Sequence, residues 1–369
     1  MLFAGTGNGF YYSMNDGKTW TPIKDGLPAA PVSWIEVEPR YHDVVISTYG
    51  RGLYILRDIT RLEQQDQADQ ASAAYLFVPR AGFREARSGS ADFLYSLKTA
   101  SADRVKFEIV DAAGVVIRRF DGPGRAGLNR AAWDMRHDGP AQVELRTIPP
   151  DNPHIWEEAR FKGRDTRPIV HWGIQGTQRQ GPLAIPGRYT VRMSLGGAAY
   201  ERPVDVLKNQ KILTPALDLA ASTAAQVRIR DDINETVAMI NRLEVIRKQI
   251  EDQIKTNACM KPAEQALQAL EKKMMDVELQ LLSRTDMHSD DKWYVETYKV
   301  YMNLLWQMGV IGYGASDVAG GADYRPTDAS LQVLETIEED LAAAEAAYTT
   351  LIEKDVPAFN KSNPKLVIR

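Results

Sequence analysis

The sequence predicts a multidomain protein of β plus α class, in which β-rich regions precede a helical region. Its 369 residues correspond to two or three domains of ordinary size. Its 26 glycines and 19 prolines fall mostly before residue 210, as expected for β structure rich in turns. From Pro215 onward, apolar residues recur every three or four positions, which is the period of helices. These observations predict a β portion followed by a helical portion.

An internal repeat opens the sequence. Residues 2–12 and 45–55 each contain a short apolar strand, a threonine, a turn with glycine and an aromatic strand. Thr6 and Thr48 lie 42 positions apart, a spacing typical of β-propeller blades. Residues 33–39 alternate between apolar and polar and predict the innermost strand of the second blade. Residues 1–60 therefore predict partial β-propeller blades, too few to close a ring.

A hairpin turn of distinctive composition follows the first copy of the repeat. It contains Ser13, Asn15, Gly17, Thr19 and Trp20. Gly17 supplies the positive φ of a three-residue hairpin loop, and Ser13 and Asn15 can accept hydrogen bonds from turn amides. Trp20 can fill the gap between hairpins. The segment resembles the Asp-box of BNR-repeat propellers, with Asn15 in place of the usual aspartate, which keeps the acceptor and weakens any ion-binding role.

The second copy of the repeat carries a further resemblance. Thr48, Gly50, Arg51 and Gly52, followed by Asp58, are similar to the last-blade ending of bacterial sortilin-like BNR proteins, which often carry a glycosyl-hydrolase label. This resemblance implies the C-terminal part of such a propeller, with the remaining blades of the parent protein as its partner. It also implies a periplasmic or secreted location, although the first residues do not form a signal peptide. The glycine turn itself could hold an anion, but a tight interstrand turn explains it equally well.

Residues 61–74 form a predicted polar linker, and residues 75–210 predict an immunoglobulin/fibronectin-like β-sandwich. Short segments of period two alternate with turn signals, without a helical period. Residues 120–134 resemble the flagellar hook-cap immunoglobulin-like domain found after many secreted bacterial propellers. The predicted strands are 75–78, 93–97, 105–110, 115–120, 129–135, 143–147 and 189–195.

A long insertion, residues 149–182, interrupts the predicted sandwich. It holds Trp156 and Trp172, which we interpret as possible glycan contacts. On this interpretation the insertion is a binding site of its own.

Residues 214–369 predict a C-terminal antiparallel helical bundle, because short connections make neighbouring helices antiparallel. Its apolar stripes are typical of core rather than of a cofactor box. This region holds 25 acidic and 17 basic residues, which we expect on solvated helix faces.

The sequence contains little that indicates a cofactor, metal or nucleic-acid site. Residues 122–127 match a dinucleotide pattern by letter but lie between predicted strands, so a turn is favoured. The group Asp286, His288, Asp290 and Asp291 precedes a predicted helix and favours capping over metal binding. Basic runs and long apolar runs are absent, so we expect neither nucleic-acid binding nor a membrane span.

Two main functional hypotheses remain open at this stage. The first is a noncatalytic interaction or structural region that binds protein or glycan. The second is a polysaccharide-acting glycoside hydrolase, whose carboxylate pair would lie mostly in absent blades. The carboxylates available in the blades are Glu36, Glu38, Asp43 and Asp58. Each of them also has a surface or turn interpretation, so catalytic residues stay unassigned.

Overall fold

The computed structural model describes residues 1–24, 26–84, 89–170, 179–210, 213–256, 261–288, 297–313 and 324–369. The fold is mixed β and α, with several antiparallel sheets and C-terminal helices. The chain forms two units, one of Met1–His137 with Ala184–Leu213 and one of Asp138–Leu183 with Thr214–Arg369. The second of these is called the helical unit. The predicted insertion at 149–182 lies within its segment Asp138–Leu183.

Two three-stranded antiparallel sheets contain the repeat. The hairpins β1–β2 and β5–β6 are equivalent, because each is closed by a threonine hydroxyl. Thr6 Oγ1 donates to the carbonyl of Gly9 at 3.1 Å, and Thr48 Oγ1 donates to that of Gly52 at 2.8 Å. The strands are β1 (Leu2–Thr6), β2 (Gly9–Ser13), β3 (Thr21–Ile23), β4 (Val32–Glu38), β5 (Asp43–Thr48) and β6 (Gly52–Leu56). The predicted innermost strand, 33–39, is β4, at the edge of the second sheet.

The segment predicted as a polar linker, 61–74, contains short helices, α1 (Thr60–Glu63) and α2 (Gln65–Gln70). The Gln64 side chain fastens them to the following chain. Its amide donates to the Val78 carbonyl at 3.1 Å and its oxygen accepts from the Val78 amide at 2.8 Å. Satisfied polar groups of this kind hold the segment in place despite its composition.

Two further sheets share one apolar core, in the order β11-β10-β13-β14-β8 and β12-β9-β7. The strand pairs are antiparallel except for β14 with β8. Alternate residues of β9 and β10, such as Phe93 and Phe107, are buried, as the period-two pattern predicts. The strands are β7 (Ala74–Leu76), β8 (Gly82–Arg84), β9 (Ala91–Leu97), β10 (Val105–Val110), β11 (Val116–Gly122), β12 (Gly127–Trp133), β13 (Gly187–Leu195) and β14 (Ala198–Lys208).

The predicted strand at 143–147 is wrong. The segment makes a single bridge between Leu145 and Arg167, and the amide of Glu144 donates to the Asn241 side chain at 2.7 Å. Val143 and Leu145 are buried in the core of the helical unit. An extended segment lying on helices buries every second side chain just as a strand does, which explains the misleading pattern. Sequence reasoning also missed β8 and β14.

The helical unit is built around a long helix, α3 (Ala216–Thr256). The predicted apolar stripes form its core, with Ile233, Ile240, Leu334 and Leu341 all buried. The other helices are α4 (Lys261–Leu281), α5 (Arg284–Met287), α6 (Val300–Tyr313), α7 (Asp328–Thr350) and α8 (Val356–Ser362), with a π turn at Leu351–Asp355. Among the described residues, no helix is both long enough and apolar enough to cross a membrane.

Trp133 provides a test of the shared β core. The side chain is fully buried, its ring lies 5.3 Å from that of Tyr189, and its Nε1 donates to the Arg136 carbonyl at 2.8 Å. We expect Trp133→Ala to lower the free energy of unfolding by about 3–5 kcal/mol in urea titrations, because it leaves a large cavity. Leu128→Ala, at an exposed position on the same strand, should cost much less. Equal losses for the two variants would contradict this packing.

Candidate functional site

The β2–β3 turn has the hydrogen bonds expected from its sequence. Ser13 Oγ accepts from the Gly17 amide at 2.9 Å, and Asn15 Oδ1 accepts from the Thr19 amide at 2.9 Å. The side-chain nitrogen of Asn15, Nδ2, also donates to Thr19 Oγ1 at 2.8 Å. Gly17 has φ of +85°, and the ring of Trp20 lies over it while remaining 42% exposed. These residues hold the turn together.

The β5–β6 turn is also held by its own contacts. Gly50 and Gly52 adopt positive φ, which glycine favours. Thr48 is nearly buried and binds the Gly52 carbonyl. The Tyr54 hydroxyl donates to the carbonyl of Arg51 at 2.9 Å, while Arg51 itself is exposed. A tight interstrand turn accounts for this glycine pattern.

Two of the blade carboxylates, Asp43 and Asp58, belong to one polar network. Asp43 Oδ1 accepts from the Asp58 amide at 2.9 Å and from Arg80 at 3.1 Å. Asp58 Oδ1 accepts from the Thr60 hydroxyl at 2.5 Å, and its other oxygen lies 4.0 Å from Arg80. Both carboxylates therefore hold the chain after β6 in position.

The other two blade carboxylates lie on β4. Glu38 accepts from Arg40 at 2.7 Å, and this hydrogen bond lowers the pKa of Glu38. Glu36 accepts from the indole of Trp34 at 3.4 Å. Each carboxylate is thus occupied by a close neighbour in sequence.

Trp156 lines a cavity of about 450 Å³ in the helical unit. It lies in a 3₁₀ turn, Ile155–Glu157, and the guanidinium of buried Arg167 lies 5.7 Å from its ring centre. The second predicted contact, Trp172, lies outside the described residues. The cavity is also lined by Arg146, Ile148, Arg164, Asp165, Lys248, Glu251 and Lys255.

Four basic and two acidic side chains line this cavity. Arg146 is paired with Glu144 and Lys248 with Asp252, each at 2.5 Å, which leaves Arg164 and Lys255 as the basic side chains of the lining without an ion pair in the described residues. Glu251 accepts from the Ile148 amide at 2.7 Å and lies 3.7 Å from Lys248. Burial raises the pKa of Glu251, although the Ile148 amide and Lys248 oppose this. An aromatic wall with several hydrogen-bonding groups suits a hydroxyl-rich ligand.

A buried ionic cluster, formed by Glu244, Arg247, Glu271 and Glu278, lies between α3 and α4. Arg247 donates to Glu278 at 2.5 Å, to Glu271 at 2.8 Å and to Glu244 at 3.0 Å. The side chains of Arg247, Glu244 and Glu278 are almost entirely buried. The expectation that the charges of this region lie on solvated faces is wrong for these residues. Their signal in the sequence is that Glu244 and Arg247 fall in register with the apolar stripe of α3.

The same cluster also binds the extended segment at residues 143–147, through Thr147. Glu244 accepts from the Thr147 amide at 2.8 Å and from its hydroxyl at 2.6 Å. Arg167 donates to the Thr147 carbonyl at 3.3 Å. Burial lowers the pKa of Arg167 to about 10, while Glu244 and Glu278 act in the opposite direction. The wall beside Trp156 is therefore fixed by buried charges.

Burial also dominates the ionisation of Glu278 and raises its pKa to about 8, although Arg247 opposes this. Burial likewise opposes the charge of Arg247, but Glu278, Glu271 and Glu244 together raise its pKa. The cluster is a structural one, because an arginine fills its centre. Within the described ranges, no group of three or more His, Cys, Asp or Glu residues is arranged to hold a metal ion.

Of the acidic group predicted to cap the helix that follows it, Asp286 makes a capping contact, but at the start of the short helix α5 that contains it. Ser283 Oγ accepts from the Asp286 amide at 3.1 Å, and Asp286 accepts from the Ser283 amide at 3.1 Å. This reciprocal pair is a capping box. Asp290 and Asp291 lie outside the described residues.

The raised pKa of Glu278 predicts a pH-dependent stability. Between about pH 4.5 and 8 the unfolded chain loses the Glu278 proton while the folded chain keeps it. The free energy of unfolding should then fall with rising pH, by up to about 1.4 kcal/mol per pH unit from this group. We expect Glu278→Gln to flatten the slope in urea titrations across this range. Glu339→Gln, at an exposed position of α7, should keep the wild-type slope. An unchanged slope in Glu278→Gln would contradict the assignment.

Comparison with known proteins assigns no family to this chain. No protein-family model matches it, and no curated protein matches it either.

Proposed function

We propose that this chain is the C-terminal interaction and structural region of an extracytoplasmic, sortilin-like BNR propeller protein. In this proposal the two N-terminal sheets are propeller sectors that dock against further blades. The equivalent threonine-closed hairpins of the two sheets support a repeated blade. The observation that carries the proposal is an apolar surface on the β4–β6 sheet.

This surface, the outer face, consists of Trp34, Leu53 and Ile55. Their exposed fractions are 70%, 74% and 54%. Trp34 and Leu53 both pair with Ser47 across the sheet, and Ile55 pairs with the neighbouring Val45. The three apolar side chains therefore occupy two adjacent rows on one side of the sheet.

The opposite side of the sheet already has a core. Val44 and Ile46 of β5 are fully buried there, together with Phe10 of the first sheet. Adjacent large apolar side chains left exposed on one face are typical of an interaction surface. Propeller sheets are arranged radially around an axis, so a further blade is the partner that would cover the outer face.

The remaining parts of the chain fit the same proposal. The two sheets formed by β7–β14 share one core, as in the immunoglobulin/fibronectin-like sandwich that the resemblance implies. The helices would then be the tail of the protein. The chain's own role in this arrangement is to bind and to support, without a complete active site.

The outer face predicts self-association of the isolated chain. We expect sedimentation velocity to show concentration-dependent oligomers, because burial of the exposed apolar surface between two copies of the chain lowers the free energy. The triple variant Trp34→Thr, Leu53→Thr, Ile55→Thr should shift the chain to monomer. The matched variant Val78→Thr, Val115→Thr, Leu207→Thr changes exposed apolar positions elsewhere and should behave as wild type. A wild-type chain that stays monomeric at high concentration would count against the proposal.

A second function, glycan binding, is favoured by Trp156 and the cavity that it lines. Arg164 and Lys255 at this cavity favour a glycan with carboxylates, whose sugar rings would stack on the indole. Affinity electrophoresis in gels containing alginate, a polyuronate, or dextran, a neutral glucan, tests this.

We expect retardation by alginate to exceed that by dextran and to fall several-fold in Trp156→Ala. Trp20→Ala, which removes a partly exposed tryptophan of the other unit, should keep the wild-type mobility. Thermal unfolding of both variants checks the fold. Equal mobility of wild type and Trp156→Ala would rule out this function.

A further inference from the structure

A second cavity, of about 430 Å³, lies in the N-terminal unit and belongs to neither site above. Its volume falls in the range of about 300–1,000 Å³ that is usual for small-molecule sites. One wall is apolar and comes from strands and the short helix α1. That wall consists of Ile23, Leu56, Ile59, Leu62, Leu94 and Leu128.

The other wall is strongly basic, with four arginines and two aspartates. Arg130 is neutralised by Asp92 at 2.6 Å. Arg80 is neutralised by Asp43 at 3.1 Å and also lies near Asp58. With Asp43 included, the four arginines face three carboxylates, so one positive charge is left in excess.

The arginines of this wall that no carboxylate pairs in the described residues are Arg57 and Arg61. Both residues are exposed, and neither guanidinium has an anionic partner in the part of the chain that the structure describes. They come from the same short segment and line the same cavity. Two unpaired guanidinium groups at one cavity favour an anionic ligand.

The backbone that carries Arg57 and Arg61 is held firmly. Asp58 lies between them with φ of +57°, a conformation that aspartate adopts uncommonly. Its amide donates to Asp43, its side chain accepts from Thr60, and Arg80 donates to the Tyr41 carbonyl at 2.9 Å. The cavity is thus largely formed before any ligand binds, which reduces the entropy lost on binding.

We propose that this cavity binds a small organic anion that has a carboxylate at one end and an apolar body. The carboxylate would accept hydrogen bonds from Arg57 and Arg61, whose planar guanidinium groups match its geometry. The apolar body of the ligand would lie against the apolar wall of the cavity. This site is independent of the outer face and of the Trp156 cavity.

Isothermal titration calorimetry of the full chain tests the proposal with three probes. The first is 4-phenylbutyrate, which has both features. The second is 4-phenylbutan-1-ol, which lacks the charge, and the third is acetate, which lacks the apolar body. We expect 4-phenylbutyrate to bind at least about tenfold more tightly than either of the others, because each part contributes.

Three variants locate the site. The double variant Arg57→Gln, Arg61→Gln should weaken 4-phenylbutyrate binding by at least about tenfold, since it removes charge-assisted hydrogen bonds. Leu128→Asp, which places a negative charge in the apolar wall, should weaken it similarly. The matched control Arg51→Gln, Arg125→Gln removes two exposed arginines of the same unit that do not line the cavity, and should bind as wild type. Circular dichroism checks that each variant is folded.

Three results would overturn the proposal. One is the absence of 4-phenylbutyrate binding at the highest concentration that can be titrated. Another is equal binding by wild type and by a folded Arg57→Gln, Arg61→Gln variant. The third is an equal loss in the Arg51→Gln, Arg125→Gln control, which would assign the anion to general surface charge or to the β5–β6 turn.

Discussion

The β4–β6 sheet has apolar side chains on both faces, and this constraint underlies the functional account of the protein. On one face, Val44 and Ile46 are buried with Phe10. On the other, Trp34 and Leu53 remain largely exposed. Burying apolar surface lowers the free energy by about 25 cal/mol per Å². A partner sheet that covers the exposed face would therefore be bound favourably. This imbalance supports the proposed interaction role of the unit.

In the helical unit, the main physical constraint is the burial of charged side chains away from water. Arg247 is buried with Glu244 and Glu278, and such groups are tolerated when hydrogen bonds satisfy them. The cluster also organises its surroundings, because Glu244 binds the backbone of Thr147. Arg167, which donates to the same residue, lies beside Trp156. The rigidity of the cavity wall therefore depends on buried ions.

Local signals in the sequence predicted local structure well. The threonine and glycine of each repeat specify a closed hairpin, and the Ser13 turn has the amide contacts expected of it. Signals that depend on tertiary packing failed. Residues 143–147 alternate between apolar and polar because packing against helices buries every second side chain. Some charged side chains of α3, such as Glu244 and Arg247, are buried. The cavity beside Arg57 and Arg61 could not be predicted, since Ile23, Leu94 and Leu128 of its apolar wall are far apart in sequence and only the fold brings them together.

Hydroxyl-radical footprinting of the full chain at increasing concentration tests most directly whether the outer face is an interface. Trp34 is more exposed than Trp20, so it should oxidise faster in dilute solution. If the outer face is covered on association, protection should develop at Trp34, Leu53 and Ile55 as concentration rises, while Trp20 keeps its reactivity. Undiminished oxidation of Trp34 in associated protein would place the interface elsewhere and contradict the account.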